Sequence, residues 1–204
     1  MKSNDLPVSA TRRHAQCPDL PPGDLWVFGY GSLMWNPGFT FVEAMPALLR
    51  GYHRNFCIWS ARYRGTPERP GLVLGLDRGG ACRGMVFRIA HPRVDDVLAT
   101  LWAREMSRLT YRPRMLRVAA SDRHVRALAF VADPAHPSYA GRLSEAEVAA
   151  RIVHCHGARG PNIDYLANTL EHLQKLGLQD LRLRRIYARA LALAGLHASH
   201  GNAG

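Results

Sequence analysis

The chain has 204 residues, 47% of them hydrophobic and 21% charged, which is ordinary for a globular protein with one well-buried core. No apolar run approaches the ~18 residues that span a bilayer, and Met1-Lys2-Ser3-Asn4-Asp5 lacks the apolar centre of a signal peptide, so a cytoplasmic protein without membrane contact is expected. The formal net charge of +11 does not by itself indicate nucleic acid: Lys2 and Lys175 are the only lysines, and the arginines are scattered in the manner of a GC-rich genome. Their densest cluster, Arg182-Leu183-Arg184-Arg185, carries no interleaved aromatic residues.

Residues 1–23 are polar, contain Pro7, Pro18, Pro21 and Pro22, and have no periodicity, so they read as a flexible arm ahead of a single domain over 24–204. Strand patterns follow at 25–30, 47–52, 54–60, 72–76 and 81–90, the last two separated by Asp77-Arg78-Gly79-Gly80, a hairpin signal. A helix over 92–106 comes next, then strands near 114–119 and 125–132. The last third is helical: Ser144-Glu145-Ala146-Glu147 has the form of a capping box, Asn162 can cap a helix that ends at Gly177, and Asp180 can cap one that ends at Gly195. Strands first and helices after, with one helix inserted, make an α+β fold in which helices flank a small antiparallel or mixed β-barrel.

Cys17, Cys57, Cys82 and Cys155 lie far apart with no C-x-x-C pair, and read as reduced thiols. His154-Cys155-His156 has metal-ligating residue types, but positions one and two apart do not share a helix face, and no second ligand cluster accompanies them.

Two features carry chemistry. In the helix over 92–106, Val94, Val97, Leu98, Leu101 and Trp102 form an apolar stripe, and its next position is Glu105. Burial and the negative end of the helix dipole both raise a carboxyl's pKa there, which suits an acid/base working near neutral pH. The alternative on pattern alone is that the helix ends a turn early and Glu105 faces water beside Arg104 or Arg108. The second feature is Gly29-Tyr30-Gly31-Ser32-Leu33, which leaves the first strand with glycines that allow close backbone approach and successive N–H groups able to hold an anion. An ordinary tight turn is the other reading. The segment is neither a nucleophile elbow nor a P-loop.

Val27-Phe28-Gly29-Tyr30-Gly31-Ser32-Leu33-Met34-Trp35, Arg54-Asn55-Phe56, Gly84-Met85-Val86-Phe87-Arg88, Arg104-Glu105 and Tyr111 together resemble the ChaC family of glutathione-specific γ-glutamylcyclotransferases. Ser138-Tyr139 and Gly160-Pro161-Asn162-Ile163-Asp164-Tyr165-Leu166 extend the resemblance to about residue 170. It implies a γ-glutamylcyclotransferase-like fold, a small mixed β-barrel flanked by helices. It further implies that Tyr30, Gly31, Ser32 and Leu33 bind the γ-glutamyl group and that Glu105 is the catalytic acid/base. Tyr111 and Tyr139 are candidate hydrogen-bond donors to substrate, or half-buried packing aromatics. The implied reaction turns glutathione into 5-oxoproline and Cys-Gly with no metal or organic cofactor and no obligate protein partner. Two alternatives share the site: a cyclotransferase for other γ-glutamyl amines or amino acids, and a non-catalytic regulatory or binding module. The chain departs from the family pattern in having Met106-Ser107-Arg108-Leu109-Thr110 where some members have a Gly pair, and Asn55 where a second Arg is frequent.

Overall fold

In the computed structural model, which describes residues 17–107 and 109–195, the first strand, β1 (Leu25–Gly29), runs antiparallel to β3 (Gly71–Ile89) with Leu25 opposite Ile89 and Gly29 opposite Met85. β2 (Glu43–Ser60) neighbours β3 and pairs antiparallel with β4 (Tyr111–Ala120). β4 pairs along its length with β5 (Arg123–Ala132), and a parallel pairing of β5 with β1 closes the ring. The result is a closed mixed barrel in the order β1-β3-β2-β4-β5.

Two expectations about strands are corrected. Residues 47–52 and 54–60 lie on one strand, β2, which continues through Gly51 at φ 83°. Likewise Asp77-Arg78-Gly79-Gly80 does not reverse the chain. Gly79 and Gly80 take φ 101° and 65° inside β3, so the glycines kink a strand that goes on, as a bulge does.

The chain divides into two compact units, Met1–His53 with Leu76–His136, and Arg54–Gly75 with Pro137–Gly204. Residues 1–16 of the expected N-terminal arm lie outside the described residues.

In the first unit the alternation of strand side chains separates two cores. Phe28, Leu49, Leu76, Val86, Val118, Ala127 and Ala129 fill one cluster with Tyr30. Their outward neighbours Leu25, Val27, Phe87, Ile89, Leu128 and Phe130 pack with Val97, Leu101 and Trp102 of helix α1 (Val94–Glu105). Trp102 meets Phe130 edge to face at 5.7 Å. Each fully buried side chain of this size contributes about 1.5–3 kcal/mol, so the buried stripe holds α1 to the strands despite its short length.

The second unit holds α2 (Glu145–His154), the short strands β6 (His156–Gly157) and β7 (Gly160–Pro161), α3 (Asn162–Lys175) and α4 (Leu181–Leu193). The capping box at Ser144 and Glu147 forms as the sequence predicts, and Asp180 caps α4 by accepting from the Leu183 N–H. The other Asp180 oxygen meets buried Arg54 at 2.8 Å. Asn162 does not cap α3. It is the first helical residue, and its amide spans the backbone of Leu72: Oδ1 accepts from the Leu72 N–H at 2.6 Å and Nδ2 donates to the Leu72 carbonyl at 2.8 Å. Among the described residues no helix is long and apolar enough to cross a membrane.

Candidate active site

The turn after β1 is anchored by its two apolar side chains. Tyr30 is 8% exposed and belongs to the cluster with Phe28, while Leu33 is 6% exposed and joins the cluster beneath α1. Between these anchors Gly31 is half-buried and Ser32 exposed. A single 3-10 turn, Ser32–Met34, opens here with Gly31 as its cap and no side-chain cap. The Met34 N–H bonds the Gly31 carbonyl, and the Trp35 and Asn36 N–H groups bond the Ser32 carbonyl. Such a start leaves the N–H groups of Ser32 and Leu33 without partners within the turn.

The two glycines of the turn differ. A Cβ on Gly29 would lie 3.2 Å from the Leu33 Cβ and 3.3 Å from the Met34 nitrogen, so Gly29 lets the turn fold tightly against the strand end. At Gly31 a Cβ would meet no protein atom within 4 Å, so close packing does not account for it. Beneath the turn, a Cβ on Gly84 would sit 2.3 Å from the Gly29 carbonyl oxygen and 2.8 Å from the Phe28 ring. The Gly84-Met85-Val86 segment therefore supports the turn by giving β1 room.

Glu105 is the last residue of α1, so the helix does not end a turn early. Its side chain is 17% exposed, and burial pushes its carboxyl above the ordinary carboxylate range, opposed by the charge of Arg104. Arg104 Nε lies 3.2 Å from Glu105 Oε1, while its terminal nitrogens donate to Ser32 Oγ at 2.7 Å and to the carbonyls of Asn36 at 2.6 Å and Pro37 at 3.2 Å. One guanidinium thus joins the carboxylate to the glycine turn. Arg108, the other arginine considered beside Glu105, lies outside the described residues. Sequence reasoning missed Arg104 as a linker, because adjacent helical residues diverge by about 100° and do not normally share partners. The signal available was its place beside a carboxylate on an apolar stripe.

Tyr111 opens β4 and packs at the edge of the cluster beneath α1. It lines an open depression of about 470 Å3 with Cys17, Pro18, Leu109, Arg112, Pro113, Arg114 and Asp133, a lining that includes neither Glu105 nor the glycine turn. Tyr139 belongs to the second unit, where it bridges Ile58, flanked by bonds from the Trp59 N–H to the Ser138 carbonyl and from the Ala140 N–H to the Cys57 carbonyl. Among the described residues no three His, Cys, Asp or Glu side chains group as metal ligands would.

The family model for ChaC-like protein matches residues 25–191. The chain belongs to the ChaC-like family. It is 39% identical over 159 residues to the glutathione-specific γ-glutamylcyclotransferase of Escherichia coli K12, covering 78% of this chain and 69% of that one. To the glutathione-specific γ-glutamylcyclotransferase 1 of Homo sapiens it is 34% identical over 170 residues, 79% of this chain and 75% of the relative. Among solved structures, the selenomethionine-labelled γ-glutamyl cyclotransferase specific to glutathione from yeast superposes with a TM-score of 0.75 at 21% identity, over 87% of this chain and 99% of that chain, which establishes the shared fold. Four residues after Glu105, Leu109 sits at φ 54°, a left-handed conformation that glycine adopts without strain.

Proposed function

We propose that the protein is a glutathione-specific γ-glutamylcyclotransferase of the cytoplasm, with Glu105 as its acid/base and the backbone of Gly31, Ser32 and Leu33 as its γ-glutamyl cradle. The observation that carries this reading is the desolvated Glu105 carboxyl on the apolar face of α1, joined through Arg104 to the glycine turn. The names of the E. coli and human relatives support glutathione as the substrate. Four free cysteines fit a reducing compartment.

In the reaction the α-amine of the γ-glutamyl group attacks its own side-chain carbonyl. A C–N bond closes the five-membered lactam of 5-oxoproline, and the C–N bond to cysteine breaks. The attacking amine gives up a proton and the departing amine of Cys-Gly takes one, so a single carboxyl moving one proton balances the step without water or cofactor. The nucleophile and the carbonyl belong to one molecule, so holding the γ-glutamyl chain folded supplies much of the acceleration, since effective molarities of about 10⁵–10⁸ M are open to such cyclisations. The N–H groups of Ser32 and Leu33 would receive the developing oxyanion. A carboxyl raised by burial is matched to both halves of the proton transfer. Tyr30 and Leu33 serve the cradle as its anchors.

Incubation with glutathione, γ-glutamyl-alanine and γ-glutamyl-ε-lysine, with 5-oxoproline read by mass spectrometry, tests the substrate. Release from glutathione alone is expected. Preference for γ-glutamyl-alanine would make the protein a cyclotransferase of another specificity, and silence on all three would make it a binding module.

A further inference from the structure

We propose that Arg104 is a positioning residue, whose forked guanidinium locks turn 32–37 onto the C-terminal end of α1 and holds the Glu105 carboxylate in register with that turn. The proposal rests on Glu105 being the acid/base. Its basis is a division of labour among the three guanidinium nitrogens. Nε faces Glu105 at 3.2 Å, Nη2 donates to the Ser32 hydroxyl at 2.7 Å, and Nη1 donates to the Asn36 and Pro37 carbonyls at 2.6 and 3.2 Å. A planar fork can serve these three directions at once, whereas a lysine ammonium is a point charge on a flexible stem.

Stability does not account for the arrangement. The Arg104 and Glu105 side chains are 28% and 17% exposed, and the desolvation of a partly buried pair offsets much of its Coulombic attraction. Anchoring of turn and helix is already provided by Leu33, Leu101 and Trp102 in the apolar cluster. What the guanidinium adds is alignment of polar groups that the apolar contacts leave free to slide. Ser32 is exposed and Pro37 only half-buried.

Arg104 also governs the charge of Glu105. The cluster beneath α1 contributes the apolar side chains of Leu25, Val27, Leu33, Phe87, Ile89, Leu128 and Phe130, with the titratable Cys17 and Tyr111 packed against it. Among the described residues, Arg104 is the charged group that acts on Glu105, drawing its carboxyl down against the upward push of burial. Removing it therefore moves the carboxyl further up.

The test compares wild type with Arg104→Met and Arg104→Lys by three readouts: the pH profile of kcat and KM on glutathione, NMR titration of the Glu105 carboxyl assigned with Glu105→Gln, and amide exchange over residues 32–36. Arg104→Met should lose about 100-fold in kcat/KM, the scale of a 1 Å misplacement. It should also move the acid limb and the carboxyl titration to higher pH, and speed exchange of the turn. Arg104→Lys, which keeps the charge, should restore the acid limb but leave the turn exchanging fast and KM raised. The proposal is overturned if Arg104→Met matches wild type in pH profile and exchange, or if Arg104→Lys restores every readout. Titration and exchange do not require turnover. A wild type that releases no 5-oxoproline, with both readouts shifting as stated, would therefore uphold the clamp and remove the acid/base assignment.

Discussion

Asn162→Ala tests whether the Gly-Pro-Asn segment belongs to the framework and not to the chemistry. Asn162 is fully buried, and its amide satisfies both polar groups of Leu72, which is itself fully buried. Alanine removes both bonds and strands a buried N–H and a buried carbonyl. Each such loss costs about 1–3 kcal/mol, so a total of about 3 kcal/mol is expected if a water enters the space left behind. In a chain of this size that lowers Tm by about 6–12 °C. Urea unfolding should show a lower midpoint at unchanged slope, while kcat per folded molecule stays at the wild-type value. Asn162→Asp isolates the donor: it keeps the acceptor but turns an oxygen towards the Leu72 carbonyl, and should destabilise at least as much. A loss below about 1 kcal/mol, or a fall in kcat without a fall in stability, would refute the reasoning.

Gly84→Ala would drive a methyl to 2.3 Å from the Gly29 carbonyl. Overpacking against backbone costs about 1–3 kcal/mol, and 5-oxoproline release should fall with it because the glycine turn shifts; normal stability and turnover would contradict this role for Gly84. Glu105→Gln should stabilise the protein at neutral pH. A buried carboxyl whose folded pKa is raised holds its proton more tightly in the folded state. Stability therefore falls as pH rises from the ordinary carboxylate range through the raised value, and the penalty is complete above it. Gln lacks the penalty, so Tm should rise at pH 7, with the gain shrinking to nothing as pH falls through the ordinary carboxylate range. A loss of stability at pH 7, or a gain that grows on acidification, would contradict the burial of the charge.

Much of this was legible because it depended on local pattern. The carboxylate on the stripe of α1, the capping box at Ser144 and the Asp180 cap each need only neighbours within a turn of helix, and each stands where periodicity puts it. What the sequence concealed depended on distant partners. Gly79 and Gly80 look the same in a hairpin and in a kinked strand, since both need positive φ, and only the pairing of β3 with its neighbours decides. Asn162 has the residue type of a cap, but its amide is taken by Leu72, 90 residues earlier in the chain. Arg104 joins Glu105 to Ser32 across 72 positions, a link no window of sequence contains.

The central claim is that a single carboxyl, Glu105, carries the proton that cyclisation requires. Purified wild type and Glu105→Gln, shown to be equally folded, should be given glutathione and the 5-oxoproline released per enzyme followed in time. Wild type should release 5-oxoproline and Cys-Gly in equal amounts, and Glu105→Gln none above the uncatalysed rate. Turnover by Glu105→Gln at the wild-type rate would contradict the claim.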